Sequence, residues 1–218
     1  LKMMGRGTRL CPDLFGPDMD KEYFLVLDFC ENLKFFAENP EGAGASAAEP
    51  LPKRLFKARL ELLQGLGKQK GGEREASGDL RTVLVKTLGD EVRGMNLDNF
   101  IVKLKRQTVG RFQEAGKDWE RLSSADYAEL EREVAGLPSQ VDMDEVEARL
   151  FDLKILRLQL CLVEGNGPIF DKLRQGVMEV AGQLSEMPEV PQVAAILSFL
   201  GELQEDDWWT DATPAMLE

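Results

Sequence analysis

The chain has 218 residues, of which 43% are hydrophobic, so it is long and apolar enough to bury a core as one or two domains. It contains no histidine, which removes Ser-His and Cys-His nucleophile pairs and histidine-based zinc sites, and its three cysteines are too few and too widely spaced for a disulfide framework or a four-cysteine zinc site: Cys11, Cys30 and Cys161. Because the sequence shows neither a signal peptide nor an apolar run of roughly 20 residues, we expect a soluble, cytoplasmic protein with no membrane partner.

The net charge of −12 is distributed unevenly along the chain. Residues 118–218 carry 22 acidic and 7 basic side chains, whereas residues 1–117 carry 17 acidic and 20 basic ones. The acidic half is poorly suited to hold a phosphate backbone, so any nucleic-acid surface should lie in the first half.

The first stretch, residues 2–10, contains two arginines three positions apart, Arg6 and Arg9, with Gly5 directly before the first. Guanidinium groups neutralise the charge that spreads over phosphoryl oxygens during transfer, and a glycine lets the backbone approach closely. The pattern is typical of an arginine-finger element that contacts a nucleotide γ-phosphate. A basic helix start is the alternative.

A compact, β-prone apolar run at residues 23–29 follows a segment dense in turn-forming residues. It predicts a buried strand, and since a lone strand is not stable, we expect the rest of its sheet upstream. Residues 38–52 are rich in Ala, Gly and Pro and predict a linker between domains.

From residue 53 onwards the apolar spacing predicts helices throughout. Pro52 is well placed for the first turn of a helix that leads to a flexible, glycine-rich loop at 65–72. Asp79 begins a second helix, which stops near Gly94.

A corner at residues 95–100 then leads into a basic helix that runs to Arg111. Ser123 or Ser124 caps the following helix, which Gly136 and Pro138 end.

The strongest helix is predicted over residues 144–163, where apolar residues occur on nearly every side. This distribution predicts a helix at the centre of a bundle. Glycines at 165 and 167 end it, Pro168 starts the next helix, and Pro191 starts a further one.

The basic segment 99–111 carries four cations and no acid: Lys103, Lys105, Arg106 and Arg111. Such a segment would track a DNA backbone by charge, independently of sequence. The alternatives are a solvated helix face and a dock for an acidic partner, which the acidic half of the same chain supplies.

Trp208 and Trp209 follow an acidic run at 205–207. Tryptophan is enriched at binding hot spots, but we favour core packing at the end of the bundle. The consecutive carboxylates are expected to face solvent, so no metal site is predicted.

Asp152 and Lys154 superficially resemble part of a nuclease constellation. The strand context that such a site needs is absent around them, and we interpret both as helix residues. Cys161 on the same helix is interpreted as a small buried hydrophobe.

Six collinear strings resemble the C-terminal part of the R (motor and endonuclease) subunit of type I restriction enzymes, in the EcoEI-like branch. They are spread over nearly the whole length of the chain: residues 5–10, 28–29, 55–62, 95–102, 151–153 with 156–160, and 207–218.

The resemblance implies that Arg6 and Arg9 belong to motif VI of a superfamily 2 helicase-like motor, whose common form is Gln-x-x-Gly-Arg-x-x-Arg. Lys2 stands where glutamine is usual. In such motors ATP lies between two RecA-like lobes, and these arginines reach its γ-phosphate beside Gly5. ATP and Mg²⁺ would be bound mainly by upstream residues, as would the nuclease site, so this chain alone is expected to be inactive.

The resemblance also implies partners, namely the methyltransferase (M) and specificity (S) subunits and double-stranded DNA. The expected fold is mainly α, a multi-helix C-terminal bundle (53–218) preceded by a linker (38–52) and a short α/β remnant of the second RecA-like lobe (1–37). Two other functions stay open, a free-standing helical protein-interaction module and the tail of an unrelated superfamily 2 helicase.

Overall fold

A computed structural model describes Pro12, Lys21 and residues 49–69, 72–114, 116–141, 145–165 and 167–218. The predicted strand at 23–29 and the predicted α/β remnant at 1–37 lie outside these residues, apart from two isolated positions, and stay predictions. Glu49–Glu218 forms one compact unit. Its described residues contain helices and no strand, so the prediction of a mainly α bundle is confirmed for this part of the chain.

The first three helices are α1 (Leu51–Lys68), α2 (Gly72–Ala76) and α3 (Gly78–Arg93). Pro52 stands in the first turn of α1, where its fixed φ favours the helix and its missing N–H costs nothing. The predicted loop at 65–72 is wrong in part, because α1 continues through two glycines to Lys68 and α2 already begins at Gly72.

Next come α4 (Phe100–Lys103), α5 (Arg106–Gln113), a 3₁₀ turn (Trp119–Arg121) and α6 (Ser124–Glu129), which continues as a π turn (Leu130–Val134). The single basic helix predicted from residue 100 to Arg111 is therefore wrong, since it is broken after Lys103. In a continuous helix Arg106 would lie on the core side, because it follows the buried Val102 by four residues and precedes the buried Val109 by three. The break avoids burying this cation.

The C-terminal half contains α7 (Val146–Glu164), α8 (Gly167–Ser185), α9 (Pro191–Ala194), α10 (Leu197–Glu202), α11 (Asp206–Thr210) and a final 3₁₀ turn (Pro214–Leu217). Gly165 ends α7 in the left-handed region, at φ 74°, which favours glycine.

The single helix predicted from Pro191 to Leu203 is two helices, with the break at Ala195 and Ile196. A continuous helix would align Ile196 with the buried Val193 and Leu200, whereas the break leaves Ile196 44% exposed.

Helix α7 contributes to two hydrophobic cores, which confirms its predicted place at the centre of the bundle. Leu153 and Leu156 pack into the first core, which is formed mainly with α1, α3 and α5. Leu158 packs into the second core, with Val177 of α8 and residues from α9 to α11. Each fully buried leucine contributes about 1.5–3 kcal/mol through removal from water.

No helix among the described residues combines the length and the apolar character that crossing a membrane requires.

Candidate functional site

Gly5, Arg6 and Arg9, the residues predicted to contact ATP, lie outside the described residues. Their role stays a prediction. The other predicted contact residues, those of the basic segment, are all described.

The basic segment is held firmly against the bundle at both of its ends. The Asn99 side chain caps α4 by accepting hydrogen bonds from the backbone N–H groups of Ile101 (2.9 Å) and Val102 (3.4 Å). The side chain of Val102 is fully buried. At the end of α5, the Gln113 amide donates to the carbonyls of Val92 (2.9 Å) and Met95 (2.8 Å), which ties α5 to the end of α3.

Two cations of the segment are paired with the acidic helix α6 and its π turn. Lys105 forms an ion pair with Glu133, and Arg111 forms ion pairs with Glu129 and with Asp126, the latter at 3.3 Å. These contacts join residues 15 to 28 positions apart, so they fix α5 against α6.

The remaining two cations point outwards. Arg106 is 58% exposed in its side chain and lies 4.0 Å from Asp98, which is itself 86% exposed, so this pair is weak. Lys103 is exposed on α4. The four basic residues are close together in the sequence. In the structure two of them form ion pairs with α6 and its π turn, and the other two are exposed to solvent.

Asp126 links the ion pairs to the start of α6. Its carboxylate accepts a hydrogen bond from the backbone N–H of Ser123 (3.0 Å), while the Ser123 hydroxyl accepts one from the Asp126 N–H (3.2 Å). This reciprocal capping box confirms that Ser123 starts the helix. Burial raises the pKa of Asp126, but the bonds from Ser123 and the ammonium of Lys117 outweigh it and bring the pKa to about 2.

Three large apolar side chains on and just after α4 face solvent. Phe100 is 83% exposed, Ile101 53% and Leu104 75%. We call these three residues, together with Lys103 and Arg106, the α4 tip. Three large apolar side chains exposed within five residues are unusual, since scattered single residues are the norm.

Three charged residues that the sequence analysis did not single out meet in the first core. Arg59 of α1 lies 3.4 Å from Glu91 of α3, and Arg149 of α7 also attracts that carboxylate. Burial nevertheless dominates and raises the pKa of Glu91. The sequence contains a signal for this burial, because Glu91 follows Leu84 and Leu88 at the spacing of residues on one helix face. This spacing predicts that Glu91 lies on the apolar face of α3.

A cavity of about 420 Å³ lies beside this cluster, where α3 and α7 meet the C-terminal turn. Its walls are mostly apolar, with Leu84, Ile155 and Phe199 among the lining residues and Arg59 and Asp152 as charged members. The volume falls in the range of small-molecule sites. The lining is that of a mostly apolar cleft with a small number of polar groups.

The tryptophans pack as expected. Trp209 is buried in the second core and donates a hydrogen bond from Nε1 to the carbonyl of Leu203 (2.8 Å), while Trp208 packs edge-on against Phe199. Core packing is thus confirmed for Trp209.

Cys161, Asp152 and Lys154 all belong to α7. Cys161 is buried, as predicted, and burial raises the pKa of its thiol. Asp152 and Lys154 lie within α7, in agreement with their interpretation as helix residues. In the described part of the chain no group of three or more Cys, Asp or Glu side chains is arranged to hold a metal ion.

Comparison with known proteins gives no match to this chain among protein-family models, curated proteins or solved structures.

Proposed function

We propose that the chain is part of the R subunit of a type I restriction-modification system, an ATP-dependent DNA translocase and endonuclease. Arg6 and Arg9 would stabilise the γ-phosphate of ATP, with Gly5 allowing close approach, and the helical unit from Glu49 onwards would couple the motor to the methyltransferase and specificity subunits. The observation that carries the proposal is the collinearity of six family-like strings with a motif VI pattern at their head.

The helical strings fall on elements that hold the unit together. Residues 55–62 belong to α1 and residues 151–160 to α7, and these two helices build the first core. A rigid bundle of this kind suits a coupling role, because relative movement of motor and partner is transmitted best through a unit that does not deform.

The charges favour coupling through protein contacts rather than DNA tracking by this unit. Lys105 and Arg111 are already neutralised by α6, so the basic segment offers DNA only two outward cations. Each phosphate contact in a backbone-tracking surface needs its own cation, and such surfaces use several. Double-stranded DNA would then be a partner of the whole subunit, held mainly by the motor lobes.

In the full-length subunit, ATP and Mg²⁺ would be bound mainly by residues upstream of Leu1, where the nuclease site would also lie. This chain would supply the arginines that neutralise charge on the γ-phosphate, and the proposed complex works in the cytoplasm.

The test is an Arg9→Ala change in the full-length subunit. We expect ATP hydrolysis with DNA present to fall by a factor of about 10³–10⁵, as for loss of an arginine finger, while assembly with the partner subunits is retained. Arg121→Ala is the matched control, since that side chain is 88% exposed and forms an ion pair with Asp118 three residues earlier. Unchanged hydrolysis in the Arg9 variant would contradict the role given to motif VI.

A free-standing helical interaction module is the second candidate, and the exposed α4 tip favours it. The reading frame before Leu1 separates the two. A phosphate-binding loop and an acidic Walker B-type motif encoded there would support the R subunit, and a start codon close to Leu1 would support the module.

A further inference from the structure

The α4 tip is built to present apolar side chains outwards. Phe100, Ile101 and Leu104 occupy one side of a helical turn, at positions i, i+1 and i+4, while Val102 on the opposite side is fully buried. A helical turn normally buries the side with the larger apolar area. Here the smaller valine anchors the turn and the larger residues face solvent.

The tip is also pre-organised. The Asn99 side chain caps the turn, and the buried Val102 anchors it in the core. The Gln113 amide ties the following helix to the end of α3 by two hydrogen bonds. A rigid apolar surface loses little conformational entropy when it binds, so a small number of such residues can dominate an interface.

The charges around the α4 tip favour a protein partner over a nucleic acid. Lys103 and Arg106 border the apolar side chains, whereas Lys105 and Arg111 are neutralised by carboxylates of the chain itself. A nucleic acid would pair with the two outward cations but leave Phe100, Ile101 and Leu104 against a charged, hydrated backbone. A protein groove with an apolar floor and a carboxylate rim satisfies both parts of the surface.

We propose that the α4 tip is the docking surface for an apolar, carboxylate-rimmed groove on a partner protein, which lies on the methyltransferase–specificity complex. The location of the groove rests on the proposed function. Phe100 and Leu104 would act as the anchors, since they have the largest exposed fractions, and the two cations would fix the orientation.

The experiment measures binding of the full-length subunit to the purified methyltransferase–specificity complex by biolayer interferometry. A Phe100→Ser, Leu104→Ser double variant should bind at least about 30-fold more weakly, as expected for loss of hot-spot anchors. A Lys103→Glu, Arg106→Glu variant should also bind more weakly and show a reduced dependence on salt. Ile169→Ser is the matched control, because that side chain is 52% exposed on α8, and its affinity should stay within about twofold.

Folding is checked by thermal unfolding, which the apolar-to-serine changes should leave unaltered because the side chains are already exposed. Binding of the double variant equal to that of the wild type overturns the docking surface and leaves the proposed function standing. Failure of the wild type to bind the complex overturns the proposed function, and with it the assignment of the partner.

Two further outcomes would show that the α4 tip binds a different partner. If the wild type self-associates in sedimentation velocity and the double variant does not, the tip binds a second copy, contrary to the proposal. If the double variant binds the complex normally but loses affinity for DNA in a gel-shift assay, the tip contacts nucleic acid, which also overturns it.

Discussion

Replacing Gly65 by alanine tests the closest approach between α1 and α7. A Cβ at this position would lie 2.9 Å from Cγ1 of Val163 and 3.9 Å from its Cβ. The shorter distance is below normal carbon contact, and a valine side chain in a helix has essentially one χ1 rotamer, so it cannot turn aside. One of the two helix backbones would have to move.

The magnitude follows from two opposing effects. Alanine in place of a helical glycine gains up to about 1 kcal/mol of helix propensity. Overpacking of a filled core costs about 1–3 kcal/mol. We therefore expect Gly65→Ala to lower the free energy of unfolding by about 1 kcal/mol.

Gly110 in α5 provides the matched control, since a Cβ there meets nothing within 4 Å. Gly110→Ala should raise the free energy of unfolding by up to about 1 kcal/mol. The same chemical change should thus have opposite signs at two helical sites, a difference of about 2 kcal/mol.

Urea unfolding followed by circular dichroism at 222 nm measures both variants and adds a double-mutant cycle. In a Val163→Ala background the space for the new methyl group exists, so Gly65→Ala should become stabilising. If Gly65→Ala stabilises the wild type as much as Gly110→Ala does, then α1 and α7 do not approach closely at this point.

Two more substitutions probe the second core and α6. Trp209→Ala should cost about 3–5 kcal/mol of unfolding free energy, because the side chain is 4% exposed and the carbonyl of Leu203 would lose its buried donor, the Nε1–H of the indole. A cost below about 1 kcal/mol in urea unfolding would show that the second core does not depend on this tryptophan. Asp126→Asn removes a carboxylate whose folded pKa of about 2 lies below its ordinary value of 3.8. Since the folded pKa is depressed, Asp126 contributes stability above about pH 4 that is lost as the pH falls towards 2. The variant should therefore be less stable at neutral pH and show a smaller loss of stability over that interval. Parallel pH-stability curves for Asp126→Asn and the wild type would contradict the role of Ser123 and Lys117 in lowering this pKa.

The sequence predicts those parts of the fold that depend on local signals. Helix ends are examples, because the residue that starts or stops a helix acts within one turn and can be recognised from a few neighbouring residues. They include Pro52 at the start of α1, Ser123 at the start of α6 and Gly165 at the end of α7. The two-sided apolar pattern of α7 also predicts its central place.

The errors occur where distant residues decide the local conformation. The glycine-rich composition predicts a loop at Gly65, but the lack of a side chain there allows α1 to approach Val163, nearly 100 positions later. The break between α4 and α5 brings Lys105 to Glu133, which lies 28 positions later in the sequence. Neither contact can be read from periodicity.

For the candidate site, too, the sequence predicts the local features but not those that depend on distant elements. The spacing located four cations on one segment, but which of them would remain outward depended on α6, a separate element. Likewise, periodicity identifies Phe100 and Leu104 as apolar helix residues without showing that Val102 takes the core side of the turn. The roles of Arg6 and Arg9 stay predictions.

The most direct measurement of the central claim is an isothermal titration of this 218-residue chain into the purified methyltransferase–specificity complex. The proposed coupling role predicts saturable binding with a Kd of about 1 μM or tighter, with no DNA and no ATP required. A chain that is helical by circular dichroism but gives no binding signal at concentrations well above that value would contradict it.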